Sequence, residues 1–297
     1  MIIDCHYHLD CSMVPLPELL LSMDRHGIGR VALIPRLNPP LAMNPLLAAI
    51  ALPVFRRGLH RSQGWLHRLM IAIYQSNVKP DGKVDILGVQ YEIFPKPPNN
   101  EVADAVKAHP DRFCGWVFVN PAGPDDPIAV IQNCMTGPAM IGVKAHPYWH
   151  NYPVRRLEAA AAWCEQHDRP MLIHLGAGEN GDFQFLPERF PRLKILYAHA
   201  GIPESRAVLA LARQNPNVFV DLSSSSYVDL RTAREAVQTA GANKCLFGSD
   251  GPYFHVEARH FDFGYFRRLL EQLQLPPPDQ ERVLGQNFLE LLGQSPF

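Results

Sequence analysis

The chain has 297 residues, 47% of them hydrophobic and 19% charged, which fits a globular enzyme and excludes a disordered or fibrous protein. Its formal net charge of −1 predicts neither a nucleic acid nor a membrane as a partner, and leaves a small-molecule substrate as the expected one. Six cysteines without C-x-x-C pairing, and the lack of a basic and apolar leader before the first strand, predict a reduced cytoplasmic protein.

Short apolar runs alternate with amphipathic helical patterns along the chain. The runs predict eight strands, at residues 2–8, 30–35, 113–120, 140–146, 171–174, 194–199, 218–222 and 244–249. The intervening patterns predict helices, among them 17–26, 100–109, 127–135, 154–167, 204–214 and 230–240. This alternation favours an α/β fold with a parallel sheet, and eight units favour one (β/α)8 TIM barrel domain over residues 1–297. A doubly wound open sheet is the alternative, although no G-x-G-x-x-G follows the first strand.

The first predicted strand ends in two histidines, His6 and His8. Side chains two positions apart on a strand point to the same face, so both imidazoles are presented at one place, as metal chelation requires. Core packing of one histidine and a loop role for the other is the alternative that this strand leaves open.

The connection after the second strand, residues 36–98, is too long for a structureless loop. Its pattern predicts helices at 44–57 and 62–75 and a short strand at 86–93. Because it follows the carboxyl end of a barrel strand, we expect a helical lid over the barrel mouth. Its cations either form a solvated helix face or bind an anionic substrate group through Arg56 and Arg57. Apolar residues 41–55 also allow packing against a second subunit, and hence a homo-oligomer.

Polar side chains stand at the carboxyl ends of five predicted strands, where a barrel brings them together. They are His6, His8, Lys144, His146, His174, His199 and Asp250. Imidazoles from strands one and five with a carboxylate from strand eight suit Zn2+ or a similar divalent ion and leave room for a water. Such an ion lowers the pKa of its water towards neutrality, and Asp250 is placed to take the proton.

Several stretches of the chain resemble the amidohydrolase superfamily, in the amidohydrolase-related branch that contains aminocarboxymuconate-semialdehyde decarboxylase. They are residues 3–8 (IDCHYH), 142–147 (GVKAHP), 172–175 (LIHL), 190–201 (FPRLKILYAHAG), 246–252 (LFGSDGP) and 283–288 (VLGQNF). His-x-His alone is a weak motif, whereas the whole set keeps the family's order over nearly the whole chain. Residues 36–98 have no counterpart in the family core, so we expect them to govern substrate choice.

The resemblance implies one divalent ion, Zn2+ before others, bound by His6, His8, His174 and Asp250. It implies that His199 acts as a general base or polarises the substrate. It leaves two roles for Lys144, which either holds a substrate carboxylate or, when carboxylated, bridges two ions in a binuclear site.

The expected activity is hydrolysis of a small polar, anionic molecule, with Asp250 and His199 moving protons and Lys144 stabilising charge. Non-oxidative decarboxylation of an aromatic or unsaturated acid needs the same ligands and is the alternative, followed by a catalytically silent barrel that serves as an interaction surface. His146 is expected to orient Lys144, to line the substrate pocket or to pack in its loop, and His255 to touch a leaving group.

Overall fold

A computed structural model describes residues 1–40, 45–61, 64–79, 81–253, 261 and 263–293. The strands are β1 Ile2–Leu9, β2 Ile28–Pro35, β3 Lys83–Ile86, β4 Val89–Glu92, β5 Phe113–Val119, β6 Met140–Ala145, β7 Met171–Ile173, β8 Ile195–Tyr197, β9 Val218–Asp221 and β10 Cys245–Leu246. The α-helices are α1 Leu16–His26, α2 Pro45–Arg61, α3 Gly64–Ser76, α4 Asn99–Ala108, α5 Pro127–Cys134, α6 Glu158–Gln166, α7 Phe185–Arg189, α8 Ser205–Gln214, α9 Leu230–Ala240, α10 Phe263–Gln272, α11 Pro277–Glu281 and α12 Asn287–Leu291. Short 3-10 turns lie at Val154–Leu157, Gly178–Gly181, His199–Gly201 and Ala242–Lys244, and a π-helical turn at Arg282–Gln286.

Eight strands form one parallel sheet in the order β1-β2-β5-β6-β7-β8-β9-β10. The two edges of this sheet approach each other, because the His8 N–H donates to the Gly251 carbonyl at 2.6 Å and the Asp250 N–H donates to the His6 carbonyl at 2.7 Å. The predicted TIM barrel is therefore confirmed. Closure also places the ends of β1 and β10 side by side, which matters for the site.

The last barrel strand is shorter than predicted. β10 ends at Leu246, because the Phe247 N–H donates to the carbonyl of Val283 at 2.8 Å and leaves the ladder. The residues up to Ser249 still run along β1, since the Phe247 carbonyl accepts from the Cys5 N–H at 3.0 Å.

The core has two layers that follow strand alternation. Side chains such as Leu172 and Leu196 belong to the cluster inside the barrel, together with Phe288 of α12. Their sequence neighbours, such as Ile173, pack outward against the helices, and Tyr7 does so beside Phe263. Polar residues that follow Leu172 and Leu196, just beyond the carboxyl ends of β7 and β8, therefore lie at the barrel mouth.

The insertion after β2 contains the predicted pair of helices, α2 and α3, followed by an antiparallel hairpin of β3 and β4 where one strand was expected. Its inner side packs at the carboxyl ends of the barrel strands, in a cluster formed by Leu59, Tyr74, Tyr148 and Ile202. None of the helices in the described ranges combines the length and hydropathy needed to cross a bilayer.

Candidate metal centre

Two imidazoles of β1 and one carboxylate after β10 meet at the barrel mouth. The Asp250 Oδ1 atom lies 3.3 Å from Nε2 of His6 and 3.5 Å from Nε2 of His8. The other ring nitrogens are held from behind, since His6 Nδ1 is 2.8 Å from Oδ2 of Asp221 and His8 Nδ1 is 3.1 Å from the Pro35 carbonyl. These contacts fix both rings so that each Nε2 atom faces Asp250, which is how proteins orient histidine ligands of a metal.

The atoms of this group fit a divalent ion. One ligand atom each from His6, His8 and Asp250 lies within 4.8 Å of the others. The His6 Nε2 atom is buried and has no hydrogen-bond partner among the described residues. A buried, unpaired nitrogen costs free energy unless another ligand satisfies it. Two imidazoles with a carboxylate suit Zn2+ and similar borderline ions.

Burial keeps these histidines neutral. It lowers the pKa of His6 well below its usual value and that of His8 to about 3, and the nearby Lys144 lowers both further. Burial raises the pKa of the Asp250 carboxyl, and the Lys144 ammonium opposes this shift. Neutral imidazole is the form that binds metal.

The backbone is strained at two of the polar positions. His199 and Asp250 adopt the left-handed region, with φ angles of 54° and 59°. Hydrogen bonds hold both in place, because the His199 N–H donates to Oδ1 of Asp221 at 2.8 Å and the Asp250 N–H donates to the His6 carbonyl. Strain of this kind in residues that are not glycine is typical of functional sites.

His199 lies beside the three-ligand group. Its ring stacks on that of His6 with 5.0 Å between centroids, and its Nε2 atom is 3.9 Å from Oδ2 of Asp250. Its Nδ1 atom is hydrogen-bonded to the Ser223 hydroxyl at 2.8 Å, and that hydroxyl donates to Asp221. His6, His199 and Asp221 form a second group of possible ligands, which shares His6 with the first.

The amidohydrolase family model matches residues 89–294. The chain belongs to the amidohydrolase family. The match covers about two thirds of the chain and includes Lys144, His174, His199 and Asp250. It confirms the resemblance drawn from the motifs, and it makes the protein an enzyme of the amidohydrolase superfamily.

Individual proteins similar to this chain include one curated protein and several solved structures. An alignment 108 residues long is 27% identical to Protein fluG of Emericella nidulans, and it covers 32% of this chain but only 12% of the length of that protein. The fold resembles 2,6-dihydroxybenzoate decarboxylase from Rhizobium, at 15% identity over 98% of both chains and a TM-score of 0.58.

Two further solved structures share the fold. One is a probable 2-pyrone-4,6-dicarboxylic acid hydrolase from Acinetobacter baumannii, with 13% identity, 98% of this chain and 99% of the other covered, and a TM-score of 0.60. The other is an amidohydrolase from Burkholderia multivorans with bound zinc, with 13% identity, 99% of both chains covered and a TM-score of 0.57. Identities this low establish a common fold and no common substrate.

His174, a predicted ligand, has partners on both ring nitrogens in this amidohydrolase. Its Nε2 atom lies 2.9 Å from the Tyr74 hydroxyl, and its Nδ1 atom lies 3.1 Å from Nε2 of His199. Either nitrogen must exchange one of these contacts before it binds an ion. The structure thus places His174 next to the three-ligand group, and its membership of the ligand set stays a prediction.

Lys144 and His146 both lie buried near the mouth. The Lys144 ammonium has no hydrogen-bond partner among the described residues, and burial lowers its pKa against the opposing charges of Asp221 and Asp250. His146 stacks on His174 at 4.1 Å between centroids and accepts a hydrogen bond from the Trp149 N–H at 3.0 Å. His146 therefore packs against its own loop, and its expected roles towards Lys144 and the substrate stay predictions.

The cations expected to meet an anionic substrate are placed differently from each other. The Arg56 guanidinium donates to the Ser225 carbonyl at 2.6 Å and pairs with Asp229 at 3.3 Å, so it ties α2 to the loop after β9. Arg57 is exposed on the outer side of the same helix. His255 lies outside the described residues. A substrate-binding role for these three residues stays a prediction.

Two residues of the site were missed at the sequence level. Asp221 is the last residue of β9, and its position at a strand end was a usable signal, as for Asp250. Tyr74 gave no signal, because it lies on α3 and only the packing of the insertion brings it to His174.

Proposed function

We propose that this amidohydrolase binds one divalent ion, with Zn2+ as first choice, at His6, His8 and Asp250, and hydrolyses a small anionic molecule. The observation that carries the proposal is the convergence of two oriented Nε2 atoms on Oδ1 of Asp250, at 3.3 and 3.5 Å. One ion is favoured over two, since the second possible group shares His6 and its Nδ1 atom is already hydrogen-bonded to Asp221.

An ion at this place would polarise a substrate carbonyl and acidify water. Proton transfer falls to the more exposed of the two carboxylates. The Asp250 side chain is 15% exposed, whereas that of Asp221 is fully buried. As a water oxygen forms a bond to the carbonyl carbon, Asp250 accepts the water proton. The proton passes to the leaving group when the carbon–heteroatom bond breaks, and His199, held by Asp221 and Ser223, lies beside this path.

The buried ammonium of Lys144 is the reason to expect a negatively charged substrate. A fully buried ammonium without a hydrogen-bond partner among the described residues is costly, and a carboxylate of the substrate would satisfy it. A small carboxylate that also contains a hydrolysable bond, such as a lactone acid, is therefore the substrate class that we propose.

The test combines metal analysis with a substrate panel. We expect the purified protein to bind about one equivalent of Zn2+, and chelation followed by readdition of the ion to abolish and restore acid release from lactone and amide carboxylates. Full activity in the chelated protein, or metal binding that is unchanged in His8→Ala, would refute the proposed centre.

Decarboxylation is the second candidate, and the aromatic rings around the histidines favour it. Tyr253 lies 5.1 Å from His8 and Tyr227 lies 5.1 Å from His199, measured between ring centroids. Aromatic rings at these positions suit the binding of a planar, unsaturated acid. In this reaction the bond between the ring carbon and the carboxylate breaks, CO2 leaves, and the carbon takes a proton from His199 or Asp250.

One assay separates the two candidates. Aromatic and unsaturated carboxylates are added to the panel, and CO2 release is measured beside acid release. Hydrolysis without CO2 from any acid removes the second candidate, whereas CO2 release from an acid that has no hydrolysable bond removes the first.

A further inference from the structure

The outer faces of α2 and α3 expose eight large apolar side chains. Their exposed fractions run from 40% at Leu66 to 77% at Leu46. The full set is Leu46, Leu47, Ile50, Val54, Trp65, Leu66, Leu69 and Ile73. Monomeric proteins rarely leave so many large apolar side chains exposed on one pair of helices, and a contiguous apolar face of this kind marks an interaction surface.

These side chains form one surface. On α2 the exposed positions Leu46, Ile50 and Val54 are four residues apart, and so lie on one side of the helix. Trp65, Leu69 and Ile73 repeat this spacing on α3. The opposite sides of the two helices pack in one cluster over the barrel, so both exposed sides point away from it. We call this surface the outer helix face.

The charge of the helical part of the insertion has one sign. Residues 37–80 contain no aspartate or glutamate, but they contain four arginines and a lysine. Arg57 and Arg68 are exposed, three residues after Val54 and Trp65, and so border the apolar stripes. The net charge of −1 conceals this local excess, because it averages over the whole chain.

We propose that the outer helix face docks on a membrane surface that contains anionic lipids. Apolar side chains bordered by arginines, with an exposed tryptophan, are what a helix lying in the headgroup region requires. Charge favours lipid over a second copy of the chain, because a twofold contact through this face would oppose arginines to arginines with no carboxylate from the same segment. This proposal differs from the expectation, drawn from overall charge, that no membrane is a partner.

Contacts on the inner sides of α2 and α3 hold the outer helix face in a fixed position on the barrel. Arg56 is tied to Asp229, and the His60 ring is bonded to the Tyr227 carbonyl at 2.7 Å and to the Ser205 hydroxyl at 2.9 Å. The barrel thus presents the outer helix face without a rearrangement, which lowers the cost of docking. The proposal is independent of the reaction, so it is testable without a substrate.

The experiment is vesicle flotation with the full chain, using phosphatidylcholine vesicles with and without phosphatidylglycerol. We expect the protein to float with the anionic vesicles at low salt, and less at high salt. Arg68→Glu and Trp65→Ser should each weaken the partition at least about fivefold. Leu21→Ser is the matched control, because Leu21 is 63% exposed on α1, outside the outer helix face, and its loss should leave partition unchanged.

Two results overturn the proposal. One is the absence of flotation with phosphatidylglycerol vesicles, or flotation that Arg68→Glu and Trp65→Ser leave unchanged. The other is a dimer in light scattering that Trp65→Ser dissociates while no vesicle binding occurs, which assigns the outer helix face to a second copy. Circular dichroism of each variant confirms that it is folded.

Discussion

The barrel and the inserted helices α2 and α3 are both rich in apolar residues, but they place these residues differently. The barrel strands are buried over most of their length, and most polar side chains of the site lie at or near their carboxyl ends. The inserted helices bury one side through Leu59 and Tyr74 and leave the other side apolar and exposed. The barrel therefore supplies the polar residues of the site. The insertion brings the Tyr74 hydroxyl to His174 and exposes an apolar surface on its other side.

The largest expected effect tests the barrel half of this comparison. His8→Ala removes one of the converging Nε2 atoms, and we expect metal affinity and activity to fall by more than about 100-fold, since even a residue behind a ligand is worth 10–100-fold. Metal content after dialysis and the rate on the best panel substrate are the measurements. His167→Ala is the control, because this histidine lies exposed beyond α6 and stacks on Trp163.

Retained metal in His8→Ala would mean that the ion lies elsewhere, for example at His6, His199 and Asp221. In that case the role of the barrel mouth in holding metal stands, but the assignment of the ligands fails.

Asp221→Asn is the next largest test, because it keeps the shape of the side chain and changes its charge. Asp221 fixes Nδ1 of His6 at 2.8 Å and the backbone of His199. We expect the metal affinity to fall about 10–100-fold. The control is Asp182→Asn at an exposed position, and it should lower the affinity less. Competition with a coloured chelator measures the affinity, and equal affinities in both variants would reduce Asp221 to a packing role.

The sequence predicted the barrel well, for a physical reason. Continuous burial forces each strand to be apolar, so strands and their polar ends stand out, and His6, His8, His199 and Asp250 were found together. Asp221 was overlooked although it obeys the same rule. The contacts of Arg56 and Tyr74 could not be predicted from the sequence. They depend on how α2 and α3 pack on the barrel, which no local sequence pattern encodes.

Tyr74→Phe tests the contact by which α3 of the insertion reaches His174. The change removes a hydroxyl that lies 2.9 Å from His174 and 3.2 Å from the Leu175 carbonyl. We expect kcat to fall about 3- to 10-fold with metal affinity unchanged, and stability to fall by about 1 kcal/mol. Stopped assays give kcat and KM, and denaturant unfolding gives the stability.

The control for Tyr74 is Tyr197→Phe, which removes a hydroxyl donated to the Phe183 carbonyl at 2.6 Å on the outer side of the barrel. It should cost similar stability and leave kcat as it is. Equal kcat values in the two variants would show that α3 contributes packing and no positioning.

Arg56→Ala and Arg57→Ala separate the two sides of α2 and should give the smallest effect. Arg56 bonds Ser225 and Asp229 across to the barrel, so its loss should lower the free energy of unfolding by about 1–2 kcal/mol and the Tm by a few degrees. Arg57 is exposed, and its loss should leave the Tm within about one degree. A thermal scan checks both values. If KM for an anionic substrate rises in Arg57→Ala alone, Arg57 binds the substrate and its assignment to the outer side of α2 is wrong. If KM rises only in Arg56→Ala, the effect instead comes through the loop after β9 to which Arg56 is tied.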